Sequence, residues 1–335
     1  MFEIVFLGTS AAAPTVHRGL TAQMILAQEH RFLLDCGEGT QRQILQSGLG
    51  FKKLDKILLT HPHLDHILGL GGLASTLTRW ENLSALHIWA SEATLERVQN
   101  LLYGVVFLRQ EPPIALNFYP LQKDQVFFQD KKFTLSAFPV RHQGVGSFGF
   151  LFQERSRRPF LAEKADALGV PNGAERGRLV AGQALTLADG RVIQPDDVLG
   201  ETQEGVKLVY VGDCGSTDNL GQVADNADCL VMESTYLDAE AQLAKEFGHM
   251  TAGGAARFAR AAGVKTLILN HVSRRHRAYE LRQEAQAIFP ETYVARDFDH
   301  FILSKKGVER RTSQADSQSN PLNSQPERLP QSEGE

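Results

Sequence analysis

Four residues with metal-binding side chains stand within six positions: His61, His63, Asp65 and His66, in the stretch Thr60-His61-Pro62-His63-Leu64-Asp65-His66. The segment before it, Asp55-Lys56-Ile57-Leu58-Leu59, reads as a buried strand. The segment after it, Ile67-Leu68-Gly69-Leu70-Gly71-Gly72-Leu73, reads as a helix of small residues. A loop at the end of a strand is where a rigid scaffold usually displays its reactive groups. Three imidazoles and a carboxylate this close would repel one another if charged and would be costly to bury without partners. A divalent cation removes both difficulties, since neutral histidine and ionised aspartate are good ligands for zinc.

The rest of the chain must supply a scaffold for that stretch. Its 335 residues suffice for one large domain or two small ones with a substantial core. A net charge of −4 argues against a surface coated in nucleic-acid-binding charge, so any such partner must be held by local patches. Met1-Phe2-Glu3-Ile4-Val5-Phe6-Leu7-Gly8 lacks the basic start of a signal peptide and looks like a first strand entering a glycine turn. No run approaches a membrane span. Cys36, Cys214 and Cys229 form an odd, scattered set that fits a reducing compartment better than a disulfide framework, so a cytoplasmic location is expected.

In chain order, strands are expected at Phe2–Leu7, Ala22–Leu26 and Arg31–Asp35, the last closed by Cys36-Gly37-Glu38-Gly39, with a helix from Gln41. Asp35 ends its strand as an acceptor able to orient a ligand histidine from behind. A strand at Leu86–Ala90 leads to a helix capped by Ser91. Phe133–Phe138 alternates like a strand and delivers His142, and Gly146–Phe152 follows as another. Val206–Val211 ends on Gly212-Asp213, Cys229–Met232 on Glu233-Ser234-Thr235, and Thr266–Leu269 on Asn270-His271. Helices are expected near Leu237–Glu246 and at the alanine-rich Ala252–Ala262. Strand after strand thus stops on a His, Asp or Glu, as if converging on one sheet edge. Two βα-rich halves of this kind imply an α/β fold, a four-layer αββα sandwich.

His61, His63, Asp65, His66, His142, Asp213 and His271 make seven candidate ligands, too many for one catalytic zinc with three protein ligands and an open position. Two ions sharing Asp213 use all seven, with His61, His63 and His142 on one and Asp65, His66 and His271 on the other. His17, His30, His87, His276 and His300 are assigned to solvated or structural positions.

The motif His61-x-His63-x-Asp65-His66, with His142, Asp213 and His271 downstream, resembles the metallo-β-lactamase superfamily. Within it, the stretch from about Phe2 to Leu303 is similar to the ribonuclease Z family of tRNA 3′-processing endonucleases. That narrower likeness rests on Phe6-Leu7-Gly8-Thr9-Ser10, Leu34–Gln41, Ser147-Phe148-Gly149-Phe150, Glu233-Ser234-Thr235, His249-Met250-Thr251 and Ala295-Arg296-Asp297-Phe298. The chain departs from the family pattern at Pro14-Thr15-Val16-His17-Arg18-Gly19, which keeps Pro14 and Arg18 but lacks the family's Lys and Asn. Met232 stands for a His and Met250 for a Ser.

The resemblance implies two zinc ions per subunit and precursor tRNA as substrate. Cleavage would leave a 3′-hydroxyl on the tRNA and a 5′-phosphate on the trailer. It further implies that Asp65 takes the proton of the attacking water and that His249, oriented by Glu233, protonates the leaving oxygen. Residues 155–198 would form a protruding tRNA-binding arm, with Arg155, Arg157, Arg158, Lys164, Arg176 and Arg178 diluted by Glu163, Asp166 and Glu175. A homodimer is the family expectation; no other protein partner and no membrane are implied. The competing reading is another hydrolase of the same fold, a phosphodiesterase, thioesterase or lactonase acting on a small substrate. The catalytic domain is expected to span 1–306, and 307–335, rich in Ser, Gln, Pro and charge, to be a disordered tail.

Overall fold

The computed structural model describes residues 1–80, 83–143 and 146–311. In chain order its strands are β1 (Phe2–Gly8), β2 (Ala22–Ala27), β3 (His30–Leu34), β4 (Lys56–Leu58), β5 (Ala85–Ala90), β6 (Ala115–Pro120), β7 (Gln125–Gln129), β8 (Phe133–Val140) and β9 (Ser147–Glu154). There follow β10 (Leu185–Thr186), β11 (Val192–Ile193), β12 (Lys207–Tyr210), β13 (Cys229–Glu233), β14 (Leu267–Asn270), β15 (Thr292–Val294), β16 (His300–Ser304) and β17 (Gly307–Arg311). They build one sheet in the order β17-β16-β1-β2-β3-β4-β5-β6 and a second in the order β15-β14-β13-β12-β9-β8-β7, with β10-β11 apart.

Period-two alternation sorts the side chains between three apolar layers. Phe2, Ile4 and Phe6 of β1, Phe32 and Leu34 of β3, Phe133 and Leu135 of β8, Phe150 and Phe152 of β9 and Leu208 and Tyr210 of β12 fill the space between the sheets. The opposite faces carry Val5, Leu7, Leu33, Ile57 and Ile88 on the first sheet, and Val209, Leu230, Leu267 and Leu269 on the second. Such strands are apolar on both sides, which only a sheet covered on both faces can satisfy.

Helices supply the covers. Leu70, Leu73, Ala74 and Leu77 form one stripe of the helix Leu70–Trp80 against the first sheet. Ala252, Ala255, Ala256 and Ala259 of Ala252–Ala261, with Leu281 and Ala285 of Ala278–Ile288, cover the second. The result is the expected four-layer αββα sandwich. Its three cysteines are free and buried.

Three expectations need correction. Asp65 and His66 lie within a one-turn helix, Leu64–Ile67, rather than a loop. So short a helix is marginal alone, and here its backbone is strapped to the β3 exit, Cys36 N donating to His66 O at 2.7 Å and Gly69 N to Cys36 O at 2.9 Å. That strap needs glycine: a Cβ on Gly69 would stand 2.0 Å from Gly37 O.

The chemistry-bearing residues also do not share one sheet edge. His61 follows β4 of the first sheet, whereas His142, Asp213, Glu233 and His271 follow or end β8, β12, β13 and β14 of the second. They meet where the ends of both sheets face each other.

Residues 307–311 are not tail but the edge strand β17, paired in register from His300↔Arg311 to Ser304↔Gly307. A charged strand suits an edge, and Arg310 reaches back to Asp299. The remainder of the expected tail, 312–335, lies outside the described residues.

The segment 155–198 folds on itself. Ala165, Val170, Leu179, Leu185, Ile193 and Val198 form a core of their own, apart from the three sandwich layers. Three of its cations are committed internally, Arg158 to Asp196, Arg176 to Asp166 and Arg191 to Asp189.

Candidate metal centre

β12, β13 and β14 run parallel in the second sheet, as β3, β4 and β5 do in the first, so within each sheet their C-terminal ends lie along one rim. Two to three residues past such an end a side chain can turn back across the seam, and His61, His142 and Asp213 do so.

The seven candidate ligands come together. Their donor atoms fall into two groups, His61, His63, His142 and Asp213 in one and Asp65, His66 and His271 in the other, with each group's atoms within 4.8 Å of one another. Asp213 sits between them. Its Oδ2 lies 3.4 Å from His66 Nε2 and from His271 Nε2, 3.7 Å from His61 Nε2 and 4.0 Å from His142 Nε2. Asp65 Oδ2 is 3.4 Å from His271 Nε2 and 3.6 Å from His66 Nε2. Donors about 2.0–2.2 Å from a common tetrahedral centre stand about 3.3–3.6 Å apart, and several of these separations match that spacing.

The fit to a cation has an independent sign. His61 Nε2, His66 Nε2 and Asp213 Oδ1 are buried without a hydrogen-bond partner, an expensive arrangement unless something else satisfies them. The outward nitrogens, in contrast, are tethered. His66 Nδ1 meets Asp35 Oδ2 at 2.8 Å, His142 Nδ1 meets Gly248 O at 2.7 Å, His61 Nδ1 meets Thr60 Oγ1 at 2.9 Å and His271 Nδ1 meets Thr235 Oγ1 at 3.0 Å. Outer partners of this kind fix ring orientation in metal sites. His63 differs in offering Nδ1, 3.3 Å from His142 Nε2.

The electrostatics are those of charges crowded in a dry place. Burial alone would raise the Asp213 carboxyl, but His271, His66 and His61 hold it well below its ordinary range. Burial likewise opposes ionisation of Asp65, and the neighbouring His271 and His66 lower it all the same. His61 is driven well down by burial and by His66. His66, although buried, is raised well above its usual value because Asp213 and Asp35 flank it.

Glu233 and His249 sit beside this cluster. Glu233 Oε1 accepts the Cys214 amide at 2.6 Å and faces His249 Nδ1 at 2.9 Å, and that nitrogen is 4.0 Å from Asp213 Oδ2. Burial works against an imidazolium at His249, but the Glu233 carboxylate outweighs it and lifts the group to about 9.

Three contributors had no role in the sequence reading. Thr60 and Thr235 back two histidines. The Ala12 amide donates to Asp65 Oδ2 at 2.9 Å from a backbone at φ 57°, in the left-handed region an alanine seldom visits. The threonines could have been suspected from their positions beside ligand-bearing strand ends; the amide carries no sequence signal at all. Among the histidines set aside, His300 pairs with Glu3 at 2.7 Å and His87 stacks on Trp89 and Tyr119, away from the cluster.

Known proteins resemble this chain in sequence and fold. A family model described as Beta-lactamase superfamily domain matches residues 174–272, and one described as Anti-Pycsar protein Apyc1 matches residues 2–162. The chain is 45% identical over 303 residues to a ribonuclease Z of Bradyrhizobium diazoefficiens, covering 90% of this chain and all of that one. Among solved structures, the short form of human tRNase Z superposes with a TM-score of 0.63 at 25% identity, over 90% of this chain and 99% of that one. The Bacillus subtilis metallo-β-lactamase-fold protein YhfI gives 0.64 at 20% identity, over 89% and 98%. Likeness of this extent to full-length relatives makes the chain an enzyme of the ribonuclease Z family, within the metallo-β-lactamase superfamily.

Proposed function

We propose that the protein is a zinc-dependent endoribonuclease that removes the 3′ trailer from precursor tRNA, leaving a 3′-hydroxyl on the tRNA and a 5′-phosphate on the trailer. The observation that carries this reading is the convergence of seven donors, with the inward atoms of His61, His66 and Asp213 left unsatisfied by protein, beside the Glu233–His249 pair. His61, His63 and His142 would hold one zinc ion, Asp65, His66 and His271 the other, with Asp213 shared. When bound, such a pair would supply Lewis acidity at a phosphoryl oxygen and lower the pKa of a bound water.

The protein groups then divide the proton work. Asp65 remains a carboxylate at neutral pH and receives the proton of the attacking water, its orientation fixed by the Ala12 amide. His249 enters as the imidazolium that Glu233 favours and gives its proton to the leaving 3′-oxygen. A positioned donor of this kind contributes about 10²–10⁴-fold.

The folded segment 155–198 is the arm that holds tRNA away from the cut. Since Arg158, Arg176 and Arg191 are paired within it, the phosphate contacts fall to exposed cations such as Lys164 and Arg178. The domain limits proposed are 1–311 for the catalytic unit with its arm and 312–335 for the tail. A homodimer is carried over as the family expectation, and a cytoplasmic location suits three free cysteines. Cleavage of an end-labelled tRNA precursor by purified protein, with and without chelator, tests the reading. A chelator-sensitive cut at the trailer junction with a 3′-hydroxyl is expected; a chelator-insensitive cut, or none beside full turnover of small esters, refutes it.

A further inference from the structure

The histidines of the centre are braced by a device that occurs twice, once on each sheet. On the first, Asp35 Oδ2 meets His66 Nδ1 at 2.8 Å and also accepts the Thr60 hydroxyl at 2.8 Å, whose oxygen stands 2.9 Å from His61 Nδ1. On the second, Glu233 Oε1 meets His249 Nδ1 at 2.9 Å, while Glu233 Oε2 accepts the Thr235 hydroxyl at 2.5 Å, whose oxygen stands 3.0 Å from His271 Nδ1. One buried carboxylate thus serves two imidazoles, the nearer directly and the farther through a threonine.

A hydroxyl has one proton to give. The carboxylate is the stronger acceptor, because a bond to an ionised oxygen is about twice as strong as a neutral one. Turning the proton toward the ring would leave two oxygens facing each other with nothing between them. The threonine oxygen is therefore free to accept, and Nδ1 of His61 and of His271 must carry the ring proton. That leaves both Nε2 lone pairs aimed at the centre, toward Asp213 Oδ2. Thr60 is 1% exposed and Thr235 4%, so no bulk water replaces either hydroxyl.

We infer that Thr60 and Thr235 are positioning residues, hydroxyl relays through which Asp35 and Glu233 set the tautomers of His61 and His271. The inference rests on the ligand assignment proposed above. It also gives each relay its own ion: Thr60 acts on the one beside His61, His63 and His142, and Thr235 on the one beside Asp65, His66 and His271.

The test uses Thr60→Val, Thr235→Val and the matching serine variants, each checked for wild-type circular dichroism before metal is added. Zinc affinities come from competition with a chromophoric chelator, and the occupancy of each position from anomalous diffraction at limiting zinc. Loss of such an outer partner typically lowers metal affinity about 10–100-fold. Thr60→Val should do so beside His61 and Thr235→Val beside His271, with the serine variants restoring affinity to within about threefold of wild type. Valine variants that bind both ions like wild type, that weaken both alike, or whose losses serine does not restore overturn the relay. Wild-type protein that takes up no zinc overturns the ligand assignment instead, so the two failures are distinct.

Discussion

Replacing Asp35 by Asn is the sharpest single perturbation of the centre, because it changes a proton count and almost nothing else. Asp35 is fully buried and sits at φ 55°, a conformation Asn tolerates nearly as well as any residue but Gly. Its Oδ1 accepts the Thr60 amide at 2.8 Å, and its Oδ2 faces both the Thr60 hydroxyl and His66 Nδ1 at 2.8 Å. An Asn that keeps Oδ1 toward the Thr60 amide presents N–H to His66 Nδ1. His66 must then accept there and carry its proton on Nε2, where it points at Asp213 Oδ2, 3.4 Å away, and blocks the lone pair a cation needs. The flipped amide spares His66 but sets two donors against each other at the Thr60 amide. Neither orientation is free of loss.

The magnitude follows from the contacts. A hydrogen bond to a charged group is worth about 1.5–3 kcal/mol, so metal-free Asp35→Asn should be destabilised by roughly that much. Zinc affinity should fall about 10–100-fold, or about 1.4–2.8 kcal/mol, and on both ions, since Asp35 serves His66 directly and His61 through Thr60. Chelator competition measures the affinity, and thermal melts with and without zinc separate it from folding. An Asp35→Asn protein that binds two zinc ions with wild-type affinity would refute the tautomer argument.

The other expectations concern distinct parts of the molecule. His249→Ala should lower kcat about 10²–10⁴-fold with little change in KM. A donor whose pKa is raised works below that value, so wild-type kcat should fall as pH rises toward and through about 9, and a pH profile of His249→Ala should lack that alkaline limb. Lys164→Glu with Arg178→Glu should weaken tRNA binding and flatten the log–log salt dependence by about 2, while turnover of a small phosphodiester stays unchanged. Asp228, at the other end of the sandwich, is opposed by burial but held low by Lys265, Lys305 and the Lys207 amide. Its contribution is present above the unfolded carboxylate pKa and lost as pH falls through the folded one. Asp228→Asn should therefore cost about 1–3 kcal/mol at neutral pH, a gap that chemical denaturation shows closing in acid. Gly69→Ala should melt several degrees lower and lose metal, because its methyl cannot fit against Gly37 O at 2.0 Å.

What the sequence disclosed and what it hid have one physical cause. The strands were legible because they are buried on both faces, and Ile57-Leu58-Leu59 or Leu267-Ile268-Leu269 admit few alternatives. Ligands at their ends were legible because a polar group directly after such a run must be paired with something. Partnership across the seam was not, since β4 and β14 belong to different sheets and nothing local says that His61 and His271 will flank one carboxylate. The strand β17 was missed because an edge strand needs no apolar face, so its charge resembled a tail.

The bracing residues were hidden for a subtler reason. Threonine is common in strands for its shape alone, and only the three-dimensional coincidence of a carboxylate behind Thr60 and another behind Thr235 turns a β-branched filler into a relay. Ala12 is the limiting case. Its side chain does nothing, and its contribution to Asp65 is an amide proton that any residue but proline would offer. What matters there is the left-handed turn that aims it, held by Ser10 N on Gly19 O, Ala11 N on Val272 O and the Ser10 hydroxyl on Ala13 O. Ala12→Gly should therefore relieve strain worth about 1 kcal/mol and leave cleavage intact, whereas Ala12→Pro removes the donor and should release Asp65. If melting temperature rises in the first variant and kcat falls in both, the amide is not what holds the carboxylate; if kcat falls only in the proline variant, it is.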